Sequence, residues 1–218
     1  MLNKKLVLQN SKKILAFFLL LYTSALSAQD RLIIPELYIG VNYGITESKV
    51  MFNPAVNQGF LMGYNGGLVM RYIAEKNVGM QAELNFSQRG WNESSGLYSR
   101  QLNYIELPFM THIYIGNKSR FFFNLGPKIS YLISEKELIN NVSGSTEVQQ
   151  ITKIQNPFDY GLCGGLGLLF TIGKNSLQLD TRAYYSLSSV YSNRKIDNFD
   201  SSNNFNLSIN LAWLIKVK

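Results

Sequence analysis

Residues 78–90 read VGMQAELNFSQRG. Taken alternately, Val78, Met80, Ala82, Leu84 and Phe86 make one set, and Gln81, Glu83, Asn85, Ser87 and Arg89 make the other. A β-strand sends successive side chains to opposite faces, whereas a helix would mix these two sets around its circumference. The stretch therefore reads as a two-faced strand, apolar on one side and polar on the other.

Working outward, seven more stretches carry the same period of two. In 37–45, Leu37, Ile39, Val41, Tyr43 and Ile45 oppose Tyr38, Gly40, Asn42 and Gly44. In 65–74, Leu68, Met70 and Tyr72 oppose Gly67, Val69 and Arg71. In 102–115, Ile105, Leu107, Phe109, Ile113 and Ile115 oppose Tyr104, Glu106, Met110, His112 and Tyr114. The stretches 121–133, 158–172, 177–187 and 205–217 repeat it, the last with Phe205, Leu207, Ile209, Leu211, Trp213, Ile215 and Val217 on one face. Eight strands of about 9–14 residues each suffice to cross a bilayer at the usual tilt.

The connections carry a second signal. Residues 75–77, 116–119 and 173–175 are short and hold Gly or Asn suited to tight turns. Residues 46–59, 91–101, 134–156 and 188–203 are long and polar. Long and short alternate strictly, so an up-and-down meander places all long loops at one end. Outer-membrane barrels have this arrangement, with the short turns periplasmic and the long loops outside. Closure requires the last strand, 205–217, to pair with the first, 37–45, because lipid leaves no partner for an open sheet edge.

A soluble eight-stranded barrel, such as a lipocalin-like carrier, shares the period. Three features favour apolar-out. The polar face is poor in lysine, unlike a solvated surface, which is about 25–35 % charged. That face holds Gly40, Gly44, Gly67, Gly126, Gly161, Gly165 and Gly167, suited to a crowded bore. The apolar face carries aromatics towards strand ends, among them Tyr43, Tyr72, Phe121, Tyr131, Phe158, Phe170, Tyr185, Phe205 and Trp213. Such girdles mark the two membrane interfaces. The expected fold is an all-β, eight-stranded antiparallel up-and-down transmembrane β-barrel.

The amino terminus reads as a targeting segment. Lys4, Lys5, Lys12 and Lys13 precede the apolar run ILAFFLLLY at 14–22, and small residues follow at 23–28. The run is of signal-peptide length and short for a spanning helix. Cleavage after Ser27 puts Ala25 at −3, and cleavage after Ala28 puts Leu26 there; both remain open. The expected organisation is a signal peptide over 1–28 and one barrel domain over 29–218. Without those four lysines the formal charge of +7 falls to +3, too little to argue for nucleic acid. Cys163 and His112 are the sole cysteine and histidine, so neither an intramolecular disulfide nor a Cys/His zinc site is possible, and no cofactor is expected.

The whole mature chain resembles the PorT-like outer-membrane β-barrel proteins of Bacteroidetes. The likeness rests on Ile39-Gly40-Val41-Asn42-Tyr43-Gly44, Tyr104-Ile105-Glu106-Leu107-Pro108, Gly126-Pro127, Asp159-Tyr160-Gly161 and Arg182-Ala183-Tyr184-Tyr185, in that order. The resemblance implies a Gram-negative outer-membrane location and, for the family's namesake, a link to protein secretion and gliding machinery. One departure is the end of the chain, Ile215-Lys216-Val217-Lys218, where many outer-membrane barrels carry a terminal aromatic.

Arg71, Glu83, Glu106, Lys128, Asp159, Asp180 and Arg182 fall on the polar face. Buried charges need partners, and both signs are present, so the expected role is a structural network inside the barrel. A hydrolytic reading would take His112 as base, Glu106 or Asp180 to orient it, and Ser130 or Ser186 as nucleophile. Gly161 and Gly165 match a small-xxx-small spacing, but the apolar stretch is too short for a helical span and suits a strand with inward glycines. Pro108 within a strand marks a bulge or a missing ladder bond. No catalytic, cofactor-binding or metal residues are assigned. The leading reading is a non-enzymatic barrel in outer-membrane lipid that meets other envelope or secretion proteins through loops 46–59, 91–101, 134–156 and 188–203. A lipid-modifying or proteolytic barrel enzyme and a soluble periplasmic lipocalin-like carrier are the alternatives.

Overall fold

The computed structural model describes residues 34–141, 147–192 and 199–218. The targeting segment lies outside the described residues. The strands, in chain order, are β1 (Glu36–Asn53), β2 (Gln58–Gly59), β3 (Leu61–Glu75), β4 (Val78–Glu93), β5 (Tyr98–Gly116), β6 (Ser119–Asn140), β7 (Phe158–Ile172), β8 (Asn175–Ser186) and β9 (Ser201–Lys216). One helical turn, α1 (Val148–Ile151), falls between β6 and β7.

Apart from β2, every strand pairs with two neighbours. The order runs β4-β3-β1-β9-β8-β7-β6-β5, and β5 returns to β4. All pairings are antiparallel, and β1 closes on β9 from Tyr38↔Lys216 to Asn53↔Ser201. The two-residue β2 adds a short pairing to β4 at Gln58↔Glu93. The ring is therefore an eight-stranded up-and-down barrel, with no unpaired edge along the span to leave backbone groups open in lipid.

The faces are inverted relative to a soluble protein. On β4, Met80, Leu84 and Phe86 are exposed, while Gln81, Glu83, Asn85 and Ser87 are buried. The same holds around the ring: Ile39, Val41, Leu107, Leu125, Leu168, Leu179 and Leu211 point outward and Asn42, Glu106, Asn124, Asp159, Gln178 and Asn210 inward. This polarity removes the soluble-carrier reading, because an aqueous barrel would not wrap a continuous outer belt in Leu, Ile and Phe. Close strand approach explains some of the inward glycines: a Cβ on Gly40 would collide with the Trp213 carbonyl, and one on Gly126 with the Phe109 carbonyl.

The short turns stand where the sequence places them. Asn77 adopts a positive φ of 71° and Gly173 of 61°, as tight hairpins require. The prolines interrupt ladders. Between Ala82↔Phe109 and Asn85↔Glu106 the β4–β5 pairing lapses opposite Pro108, and between Pro108↔Lys128 and Thr111↔Leu125 the β5–β6 pairing lapses beside Pro127. Proline has no N–H to give.

Two of the four expected long loops are corrected. Most of 46–59 is strand: β1 runs on to Asn53, leaving a connection at 54–57 before β2. Most of 91–101 is a hairpin, with Trp91↔Arg100 and Asn92↔Ser99 paired and only 94–97 between the strands. Residues 134–140 extend β6, and 201–203 open β9. The reason is a reversal of polarity along the wall. In β1 the outward positions are apolar up to Ile45, then Glu47, Lys49, Met51 and Asn53, of which Met51 alone is apolar; the inward positions are Asn42, Thr46 and Ser48, then Val50 and Phe52. In β5 Ile105 and Leu107 face out, but above them Gln101 and Asn103 face out and Leu102 and Tyr98 face in. Below the reversal the wall stands in lipid. Above it the wall stands in water and encloses an ordinary apolar core. The alternation in the sequence loses its phase there, while the backbone ladder continues.

Candidate functional site: the filled bore and its lid

The bore is packed in layers. At the turn end, Tyr38, Val69, Ile73, Tyr114, Phe122, Leu169, Ala212 and Leu214 form an apolar plug. His112 sits against this plug, its ring 5.1 Å from Phe122 and 5.6 Å from Tyr114, with Nδ1 2.7 Å from Asn124 Oδ1.

Two charged clusters lie further up. In the first, Arg182 on β8 grips Glu83 on β4 with two nearly parallel bonds, Nη1 to Oε2 at 2.8 Å and Nη2 to Oε1 at 3.0 Å. Bidentate guanidinium–carboxylate pairing is the strong form of such a contact. Arg182 Nη2 also donates to Asp180 Oδ2 at 2.8 Å. Gln81, Asn85 and Asn42 donate to the remaining lone pairs of Glu83. Arg71 on β3 donates to the side-chain Oε1 of Gln81 and to that of Gln178, so its charge reaches Glu83 through the Gln81 amide. β4 and β8 are opposite strands of the ring, so the Glu83–Arg182 pair spans the bore.

The second cluster centres on Arg89 of β4, which is fully buried. It donates to Glu106 of β5 through Nε at 2.7 Å and through Nη2, to Asp159 of β7 at 2.6 Å, and to Ser130 at 2.9 Å. Lys128 of β6 donates to the other oxygen of Glu106 at 2.9 Å and lies 3.6 Å from the Tyr184 ring centroid. Asp159 is completed by Tyr184, Ser186 and Ser188. The Arg89 guanidinium lies between the rings of Tyr104 and Tyr184, 4.5 and 4.9 Å from their centroids. Each cluster balances its charges: Arg71 and Arg182 with Glu83 and Asp180, Arg89 and Lys128 with Glu106 and Asp159.

Above them Val50, Phe52, Trp91, Tyr98, Leu102, Tyr104, Val190, Tyr191 and Phe199 form the second apolar core. A lid closes it. Arg100 of β5, itself buried, donates to the Thr152 carbonyl at 2.6 Å and the Gln150 carbonyl at 2.8 Å, at the C-terminal end of α1. Its cation is also 3.1 Å from Glu137. Tyr191 donates to the Gln149 carbonyl, Tyr98 to the Gln150 carbonyl, and the Gln149 and Gln150 side chains donate to Glu93. Burial pushes the Tyr191 phenol well above the ordinary tyrosine value of 10.0, which keeps this donor protonated.

All seven residues named from the sequence thus lie on the inward face and within these two clusters. Arg89, which shares the inward parity of Glu83 on β4, joins them as the centre of the second cluster. The imidazole, carboxylate and serine of a hydrolytic site are not assembled. His112 bonds Asn124, Glu106 is held by Arg89 and Lys128, Asp180 by Arg182, and Ser186 by Asp159. Among the described residues, no group of three His, Cys, Asp or Glu side chains could hold a metal ion.

An inverted wall around a polar, filled bore defines a transmembrane barrel of the outer-membrane class. The chain belongs to the outer membrane protein beta-barrel domain family, which matches residues 27–192. It is an outer-membrane protein. No curated protein matches it. Solved structures similar to it include Ail, the attachment invasion locus protein of Yersinia pestis, in complex with the heparin analogue sucrose octasulfate (14% identity, 83% of this chain and 99% of that one, TM-score 0.44). OprG from Pseudomonas aeruginosa (9% identity, 83% and 95%, TM-score 0.48) and neisserial surface protein A (10% identity, 81% and 95%, TM-score 0.48) are also similar.

Proposed function

We propose that the protein is a non-enzymatic, closed outer-membrane barrel that acts through the surface at its loop end. The PorT-like resemblance supports a link between that action and protein secretion. The observation that carries this reading is the Glu83–Arg182 pair, which crosses the whole bore between opposite strands. With the bore filled, contact with other envelope proteins falls to the rim: connections 54–57 and 94–97, the lid strapped down by Arg100, and the segment after β8. The seven named charges act as internal struts, with Arg89 as the eighth.

The reading makes two measurable claims. Protein reconstituted in a planar bilayer gives no steady conductance above the bare membrane, and an open channel would overturn the closed barrel. A photo-crosslinking residue placed at Ser95, on the loop rim, captures an envelope protein in cells, whereas one at Lys118, in a periplasmic turn, does not. Capture at Lys118 alone would move the contact surface to the other side of the membrane.

A further inference from the structure

Every connection at the turn end carries a lysine. Residues 75–77 read Glu-Lys-Asn, 116–120 read Gly-Asn-Lys-Ser-Arg and 173–175 read Gly-Lys-Asn, and the last strand runs out through Lys216-Val217-Lys218. The Gly and Asn serve the tight backbone of a hairpin, which makes no demand for lysine. From Glu36 onward, the turn end holds six cationic side chains and two carboxylates, Glu36 and Glu75. The clusters in the bore are balanced, and among the described residues the loop end holds more carboxylates than cations. The positive excess of the barrel therefore gathers at the turns.

Two of the six cations are neutralised at the mouth of the bore. Lys216 Nζ lies 2.5 Å from Glu36 Oε1, and Arg120 Nη1 lies 3.8 Å from Glu36 Oε2. The other four, Lys76, Lys118, Lys174 and Lys218, are exposed, and among the described residues none of them makes an ion pair. Topology spaces them. The hairpins β3–β4, β5–β6 and β7–β8 and the closing pair β9–β1 divide the ring into four, and each quarter ends in one of these lysines.

The wall sets their height. Ile115 precedes the turn at Gly116, Ile172 precedes Gly173, Val78 follows Asn77 and Val217 precedes Lys218, and all four apolar side chains are exposed. The lipid-facing wall thus reaches the turns without a polar collar. The loop end differs, because there Glu47, Lys49, Gln101 and Asn103 face outward above the apolar belt. A lysine so close to lipid-facing wall lays its stem along the wall and holds its ammonium among the headgroups.

Four unpaired cations spread around a perimeter make no patch that a protein could grip from one side. They fit a surface that surrounds the barrel. We propose that the turn end is a collar for anionic phospholipid of the periplasmic leaflet. Lys76, Lys118, Lys174 and Lys218 each draw the phosphate of a lipid that has no ammonium of its own, of the phosphatidylglycerol kind. A zwitterionic lipid offers the same phosphate with its charge cancelled. One basic residue at an anionic membrane surface is worth about a fivefold gain in binding. The four contacts are separate, so anionic lipid is enriched on every side of the barrel in that leaflet.

The protein carries its own reporter. Trp213 stands exposed at the turn end, its Nε1 3.1 Å from Asn175 Oδ1 in the turn that holds Lys174, whereas Trp91 is buried in the loop-side core. Lipids brominated near the headgroup therefore quench Trp213 and leave Trp91 bright. The folded mature protein is placed in phosphatidylcholine vesicles with a brominated minority lipid, either phosphatidylglycerol or phosphatidylcholine of the same chains. At low salt the phosphatidylglycerol should compete for the surroundings of Trp213 about three- to fivefold better. The preference should fade at about 1 M salt, where charges are felt only within about 3 Å. Lys174→Gln with Lys218→Gln, at the ends of β8 and β9 beside Trp213, should remove most of it, while the unboiled protein still migrates as a folded barrel on gels. Lys49→Gln at the loop end should leave it intact. Equal quenching by the two lipids in the wild type overturns the proposal, as does a preference that outlives the double variant. Capture of an envelope protein at Lys118 in cells would give the turn end to a protein partner and likewise overturn it.

Discussion

Arg89→Met tests whether the interior charges act as one balanced set. Methionine keeps an apolar stem between the Tyr104 and Tyr184 rings but removes the cation and the four hydrogen bonds it donates to Glu106, Asp159 and Ser130. Glu106 keeps Lys128, and Asp159 keeps Tyr184, Ser186 and Ser188. The cluster passes from neutral to one excess negative charge inside the barrel. Removing one member of a buried ion set costs about 3–5 kcal/mol, chiefly because the partner is left without compensation. The three hydroxyl donors left on Asp159 put the expected loss near the lower bound, about 3 kcal/mol. Pairing the change with Asp159→Asn restores neutrality and leaves the Glu106–Lys128 pair intact. The double variant should therefore lose less than the two single losses added, with a coupling of about 1.5–3 kcal/mol. The assay is urea unfolding of the protein folded in detergent micelles, followed by tryptophan fluorescence and by gel mobility. A loss below about 0.5 kcal/mol for Arg89→Met, or strict additivity in the cycle, would refute the idea of a balanced set.

The lid and the wall give further expectations. Arg100→Ala removes the donor to the Gln150 and Thr152 carbonyls, so trypsin should cut after the exposed Lys153 faster than in the wild type, while the barrel still resists boiling-free gel denaturation. Leu179→Arg puts a charge on the lipid face and should cost about 2–4 kcal/mol if it lies near the midplane, whereas Gln101→Arg, outward but above the apolar belt, should cost almost nothing in the same urea assay. Tyr191 tests the pH response of the lid. Its folded-state pKa is raised, so its contribution is complete below the ordinary tyrosine value of 10.0 and is lost as pH rises through the folded value. Hydrogen exchange at the lid, corrected for intrinsic rates, should therefore show constant protection between pH 6 and 9, and a loss within that window would contradict the sign.

How far the sequence can be read follows from where its physics changes. Residues 158–172 keep the same face outward along their whole length, with only Gly164 among its large apolar side chains, and the strand drawn from alternation, Phe158–Ile172, is the strand observed. In β1 the reading stops at Ile45 although the strand runs to Asn53, because from Thr46 onward the outward face turns mostly polar while Val50 and Phe52 turn inward. Period-two patterning reports which face is wet, and it falls silent where that assignment flips. The interior face was equally legible, since parity alone sends Glu83, Glu106, Asp159 and Arg182 inward. Their pairing was not. Arg89 meets Asp159, 70 positions away, and Arg182 meets Glu83, 99 positions away, through the stagger of strands around the ring. Strand stagger is a property of closure and leaves no mark at the individual residues.

The balance of the two clusters also bears on what the barrel can transmit. Opening a path along the axis means lifting the lid and then separating Glu83 from Arg182 and Arg89 from Asp159, since both contacts run across the bore. Each separation leaves uncompensated charge in a space too small to hydrate it: the void between the clusters, lined by Asn85, Glu106, Lys128 and Arg182, is only about 20 Å³. At about 3–5 kcal/mol for each broken set, the two together hold the open fraction below roughly one molecule in ten thousand, before the lid is counted. A transported solute would have to supply that energy by binding the separated charges itself, and a neutral one has nothing to bind them with. The same energy that forbids a pore makes the wall rigid. A wall braced in this way would hold the shape of the rim through which we propose the barrel meets a partner.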